Sequence, residues 1–124
     1  KTEGVAQSRI VLDHNTEETI GLSLDSGCYA GMTVYPISKL SPDRVSKMVR
    51  EYGSDRIMVN GSADWGVSDP LSLVKVVDFM SRDGHDSRTI ENLVFRNAMT
   101  FYGQSPKWKP ELNLTPMDPH QFQR

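Results

Sequence analysis

The chain contains one cysteine, Cys28, so no internal disulfide is open to it. A single thiol suits a reducing compartment, and a cytoplasmic location is the expectation. No apolar run approaches the ~20 residues that carry a helix across a bilayer, and no signal-peptide pattern is present. Basic excess is missing too: 14 Lys and Arg stand against 16 Asp and Glu, for a net charge of -2 with both signs interspersed. That balance lacks the electrostatic footprint of a nucleic-acid binder. Several catalytic signatures are also absent: H-x-H, H-E-x-x-H, C-x-x-C, a phosphate-binding glycine loop and a G-x-S-x-G elbow. With 124 residues, 37% of them hydrophobic, the chain has room for one domain or part of one.

Three short apolar runs are present. "RIVLD" (Arg9–Asp13) and "RIMVN" (Arg56–Asn60) each hold three apolar residues in a row, which suits a strand covered on both faces of a parallel sheet. "YAGMTV" (Tyr29–Val34) carries Gly31 inside it, a mark of close approach by another backbone. Helical patterns separate and follow the runs. In "SPDRVSKMVREYG", Ser41 is the expected cap, Pro42 the first helical residue and Gly53 the stop, with Val45, Met48, Val49 and Tyr52 on one stripe. "NTEETIGLSLDSG" is expected to start at Asn15 or Thr16 and stop at Gly27. In "SDPLSLVKVVDFMSRDG", Asp69 is the expected cap, and Leu73, Val74, Val77 and Met80 the buried face. A fourth helix is expected over about Arg88–Phe95, with Ile90, Leu93 and Val94 inward, then a turn around Asn97–Tyr102. The order β-α-β-α-β-α predicts a parallel α/β sheet with right-handed crossovers. From Gln104 onward four of the seven prolines fall in a segment without periodicity, read as an extended surface tail or a partner-binding arm.

Ligands of parallel α/β folds bind at the carboxyl ends of the strands. The first run ends in "LDHNTEE", which puts Asp13 and His14 at a strand tip; the third ends in "VNGSADWG", which puts Asp64 just past one. The middle run ends in "VYPISK" and offers Tyr35 and Lys39. Each candidate also has a plainer reading. His14 stands at a helix start, where it packs or bonds locally, and Asp64 sits in a glycine-flanked loop, where Asp commonly caps a turn. Asp69 reads as a cap, Trp65 as packing, His85 in "RDGHD" as solvated, His120 as part of the tail and Cys28 as a small buried residue. His14 with Asp64 is the one acid–histidine pairing of sensible topology, and two ligands fall short of the three a catalytic zinc site takes.

"IVLDHNTEETI", "GCYAGMTVYPISKLSPDR", "VNGSADWGVSDPL" and "NAMTFYGQSP" resemble the carboxyl-terminal portion of TatD-like metal-dependent hydrolases. More closely, they are similar to the bacterial branch of that family encoded in clusters for exporting secondary metabolites, the Ebo type. The similarity runs from about Arg9 to Lys107. It implies an amidohydrolase-type TIM barrel, with this chain supplying strands six to eight. In such enzymes a first-strand histidine pair, a mid-barrel acid or modified lysine and two later histidines hold one or two divalent metal ions (zinc, magnesium or manganese). An aspartate at the end of the eighth strand binds metal and takes the proton of the attacking water. By position, Asp64 matches that catalytic and metal-binding aspartate, and His14 matches a metal-binding histidine of the fifth or sixth strand, the sixth by preference.

The resemblance then implies residues 1–103 as the carboxyl-terminal part of a TIM-barrel hydrolase domain and 104–124 as a proline-rich tail. Its function would be ester or phosphoester hydrolysis by a metal-activated water. The first-strand histidine pair is absent, and "SADWGVSDP" replaces the "TDAPYL"-like ending of the deoxyribonuclease members, so DNA is not the expected substrate. The incomplete ligand set, the low apolar fraction and an opening "KTEGVAQSR" without Met favour a fragment of a longer enzyme. Its expected partners are the rest of the barrel, in the same or another chain, and a small-molecule substrate. The alternative is a non-catalytic structural or interaction subunit derived from that fold; a flavodoxin-like domain needs more than three strands.

Overall fold

The computed structural model describes residues 4–35, 39–62 and 67–110. Its centre is a three-stranded parallel sheet of β1 (Val11–Leu12), β2 (Tyr29–Val34) and β3 (Ile57–Gly61), ordered β1-β2-β3. Val11 pairs with Tyr29 and Leu12 with Ala30; Ala30 to Val34 pair in turn with Ile57 to Gly61. The expected parallel α/β alternation is therefore present. All three strands run the same way, so their carboxyl ends share one edge of the sheet.

Pleating sends alternate side chains to opposite faces. Ala30, Met32, Val34, Ile57 and Val59 belong to one buried cluster with Ile20 of α1 (Ile20–Asp25), Val45, Met48 and Val49 of α2 (Pro42–Tyr52), and Val76 and Met80 of α3 (Ser72–Arg82). Ile90 and Leu93 complete it. They come from a helix that starts as α4 (Ser87–Glu91), widens to a π turn over Asn92–Arg96 and continues as α5 (Asn97–Tyr102). The junction residues keep right-handed helical angles, so the backbone passes through the π turn without a break. Each fully buried aliphatic side chain here contributes roughly 1.5–3 kcal/mol.

The expected limits of α2 are met: Ser41 precedes it, Pro42 opens it, and Gly53 leaves it at φ 78°, a left-handed angle that glycine takes without a Cβ clash. Its inward residues are Val45, Ser46, Met48 and Val49, while Tyr52 is exposed.

Other expectations are corrected. β1 is two residues long rather than the five of "RIVLD"; Gln7–Arg9 form a 3-10 turn, Leu12 is exposed, and among the described strands β1 pairs with β2 alone. β3 does bury Ile57, Met58 and Val59 on both faces, as its apolar run suggests. α1 starts at Ile20, not at Asn15 or Thr16, because the Asn15 side chain is engaged with strand backbone instead of capping.

The inward face of α3 is Ser72, Val76 and Met80, with Leu73 packed beside it, whereas Val74 and Val77 are exposed. The cause is a close approach to β3. A Cβ on Gly61 would lie 2.4 Å from Ser72 Oγ, so the small pair Gly61 and Ser72 sets the helix's rotation. A hydrophobic stripe drawn from the sequence passes over a serine. Asp69 does not cap α3 directly; its Oδ1 accepts the Leu71 N–H at 2.9 Å, a turn one residue before the helix, and its carboxylate pairs with Lys75. The Lys75 ammonium, followed by the Leu71 N–H, holds the Asp69 carboxyl below its ordinary range.

Candidate functional site

The second face of the sheet turns away from the helical cluster, and at its carboxyl edge it carries polar groups. The register puts Asp13, just beyond β1, in line with Gly31 and Met58, and places Thr33 beside Asn60 in the next row. One oxygen joins them. Asp13 Oδ1 accepts the His14 backbone N–H at 2.8 Å, the Asn60 amide at 3.2 Å and the Thr33 hydroxyl at 3.3 Å. All three strands thus contribute a donor to one carboxylate.

Gly31 makes the room. A Cβ there would stand 2.2 Å from Asp13 Oδ1 and 2.9 Å from its Cγ. The glycine inside the middle strand, expected to mark backbone approach, does so, with Asp13 Cα 3.2 Å from that Cβ position, and it also accommodates the Asp13 side chain.

His14 follows at φ 61°, an angle that non-glycine residues rarely adopt and that costs on the order of 1–3 kcal/mol. It is held from both sides. Before it, Asp13 takes its N–H. After it, buried Asn15 donates its backbone N–H to Gly31 O at 2.9 Å and its side-chain amide to Leu12 O and Gly31 O at 2.6 and 3.0 Å. Ser23 of α1 fixes that amide by donating to Asn15 Oδ1 at 2.6 Å. The imidazole Nδ1 lies 3.0 Å from Thr33 Oγ1. Strain held by well-bonded flanks is typical of sites where geometry serves function.

β3 leaves the sheet at Gly61 on this same edge, beside a cleft of about 310 Å³ lined by Gly61, Ser62, Asp69, Pro70, Ser72 and Leu73. Asp64 and Trp65 follow in the chain and lie outside the described residues. His14 is therefore the expected ligand that the structure places, at the carboxyl edge and exposed. Among the described residues no three His, Cys, Asp or Glu side chains converge as a metal site. Tyr35, just past β2, is buried, and Lys39 stands 5.5 Å above its ring.

His85 departs from its solvated reading. Its side chain is 7% exposed, and its Nε2 lies 2.7 Å from Ser46 Oγ. Ser46 also donates to Asp83 Oδ2, which Arg50 reaches at 2.9 Å. The Ser46 hydroxyl, then Arg50, keeps the Asp83 carboxyl below its ordinary range. Serine, histidine and aspartate meet here without forming a catalytic triad: the carboxylate bonds the serine rather than orienting the imidazole, and Ser46 is fully buried. The group fastens α2 to the end of α3.

Sequence reasoning named Asp13 and His14 at the strand tip and passed over Thr33 and Asn60. Their signal was parity. Gly31 and Thr33 alternate with Ala30, Met32 and Val34, and Asn60 alternates with Val59. Among the described residues, no helix is long and apolar enough to cross a membrane.

No family model matches the chain. It is 30% identical over 100 residues to an uncharacterized metal-dependent hydrolase of Methanocaldococcus jannaschii. The matched stretch takes in 79% of this chain and 38% of that protein, so the chain spans well under half the length of this relative.

Proposed function

We propose that the chain is the carboxyl-terminal part of a TatD-like metal-dependent hydrolase with a TIM-barrel fold, acting on an ester or phosphoester of a small molecule. The observation that carries this reading is His14: a strained, well-anchored imidazole at the carboxyl edge of a sequentially ordered parallel sheet. The relative's name supports the same class. A doubly wound sheet reverses its strand order at the ligand crevice, whereas a (β/α) barrel adds strands in sequence, as β1-β2-β3 do. In this reading the outer edges of β1 and β3 meet the rest of the barrel; most of the 104–124 segment expected as a tail lies outside the described residues.

Among the described residues His14 offers one nitrogen of the kind that ligates a divalent cation. His14 Nδ1 is engaged by Thr33, which leaves Nε2 as the ring nitrogen without a partner among the described residues, the usual arrangement of a ligating histidine. When bound, such a cation would supply a Lewis acid and lower the pKa of water. This chain's share of the work is to present His14 Nε2 as a ligand and Asp64 as ligand and proton acceptor for the attacking water. Removing a general base costs on the order of 10²–10⁴ in rate.

The test is metal-dependent hydrolysis of a generic phosphoester and a generic ester by the natural full-length protein. Asp64→Asn keeps the size and removes the proton acceptor, so its rate should fall by that factor while the fold is unchanged. Asp69→Asn should act far less, because an asparagine oxygen still accepts the Leu71 N–H. Equal rates for wild type and Asp64→Asn reject the assignment. No activity and no bound metal in any form favours the non-catalytic subunit.

A further inference from the structure

We infer that Asp13 and Thr33 form a positioning relay that sets the tautomer of His14, with Nδ1 protonated and Nε2 bare. The inference rests on the proposed metal-hydrolase reading for its purpose, though not for its geometry. Thr33 has one hydroxyl proton and two neighbours that compete for it: Asp13 Oδ1 at 3.3 Å and His14 Nδ1 at 3.0 Å. An ionised carboxylate can only accept, whereas a neutral imidazole nitrogen either donates or accepts. The arrangement that satisfies all three groups has Thr33 donating to Asp13 and His14 Nδ1–H donating to Thr33. The opposite direction leaves the carboxylate without the Thr33 proton and places that proton on the weaker, uncharged acceptor.

The surroundings hold this carboxylate at its Oδ1. Three donors from three strand ends converge on that one oxygen, and Gly31 is the residue that leaves space for it. Oδ2 has no partner among the described residues. A lone surface aspartate capping the His14 N–H would need neither the Asn60 amide nor a glycine in the adjacent strand. The relay also fixes the ring about its Cβ–Cγ bond, because Nδ1 is tied to β2 while the backbone on either side is tied to the sheet. Partners of this kind beyond a ligating histidine change metal affinity by about 10–100-fold when removed.

The experiment uses the natural full-length protein, free of metal, at a pH where histidines are neutral. Nitrogen-15 NMR of the imidazoles separates the two tautomers, and the His14 signals are assigned by their loss in His14→Gln. Zinc and manganese affinities are measured in parallel by titration. Wild type is expected to show Nδ1–H at His14. Thr33→Val, which keeps the shape and removes the hydroxyl, should shift the ring toward the Nε2–H form that predominates in free imidazole side chains and weaken metal binding about 10–100-fold. Thr33→Ser should restore both, and Asp13→Ala should reproduce the Thr33→Val spectrum. An Nε2–H ring in wild type overturns the relay and leaves the hydrolase reading standing. An unchanged tautomer in Thr33→Val also overturns it. The expected tautomer pattern in a protein that binds neither metal upholds the relay and removes the hydrolase reading instead.

Discussion

The two ends of one sheet face are built on opposite plans. At the amino end, Tyr29 lies on the same face as Gly31 and Thr33, and its ring meets Phe101 of α5 at 5.0 Å. Phe101 meets Tyr102 edge-on, and Tyr102 stacks on Trp108. Asn97 donates to the carbonyls of Ser54 and Ile57, and Gln104 to that of Ser8, so loose backbone acceptors are closed off. At the carboxyl end, about two strand residues further on, the same face carries a carboxylate, an imidazole at a left-handed angle and an amide, with Oδ2 and Nε2 lacking partners among the described residues. One end uses apolar area and satisfied backbone to hold the sheet. The other spends conformational energy to hold polar atoms in place. Stability and chemistry are thus separated along strands only a few residues long.

That separation can be broken from either side. Phe101→Ala removes the ring that covers Tyr29 and links it to Tyr102; the lost area and aromatic pairing should cost about 2–3 kcal/mol. Urea unfolding should show the loss, while metal affinity per folded molecule stays as in wild type. A fall in affinity as large as the fall in stability would mean that the two ends are coupled.

Gly31→Ala should act in the reverse sense. Its Cβ collides with Asp13 Oδ1, so the carboxylate must swing off the sheet and give up its donors. Because Asp13 is exposed, water re-solvates it and the stability cost should stay near 1 kcal/mol. Metal affinity should fall about tenfold as His14 loses its neighbour. Titration with zinc alongside urea unfolding separates the two quantities.

The smallest expected effect lies away from both ends. Arg44 makes a two-pronged pair with Glu17, its Nε reaching Oε1 at 2.7 Å. That hydrogen bonding lowers the Glu17 carboxyl from 4.5 to about 2. The folded value lies below the unfolded one, so the contribution is complete above 4.5 and fades as pH falls toward 2. With the two side chains 37% and 45% exposed, solvent screening keeps it below about 1 kcal/mol. Glu17→Gln should therefore lower the unfolding midpoint slightly at neutral pH and leave it unchanged at the acid end of that window.

The α/β alternation was legible because apolar runs and the Pro42 and Gly53 punctuation of α2 are local signals. α3 was rotated in the sequence reading because its seating depends on the contact of Gly61 with Ser72, two small residues that carry no hydrophobic signal. Asn15 looked like a cap, since asparagine caps helices well, but three backbone and side-chain partners on β1, β2 and α1 outweigh one helix end. His14 was legible from its place after a strand. Thr33 and Asn60 were not, because their role exists only once register sets β2 between β1 and β3. His85 in its polar turn gave no hint of Ser46, a residue on another helix.

The central claim is that the carboxyl edge around His14 binds a divalent metal in the full-length protein. Elemental analysis and zinc titration of that protein, with His14→Ala and His85→Ala side by side, test it most directly. The account predicts at least one tightly held ion in wild type and in folded His85→Ala, and loss or severe weakening of it in His14→Ala. The same metal content and affinity in His14→Ala as in wild type would contradict it.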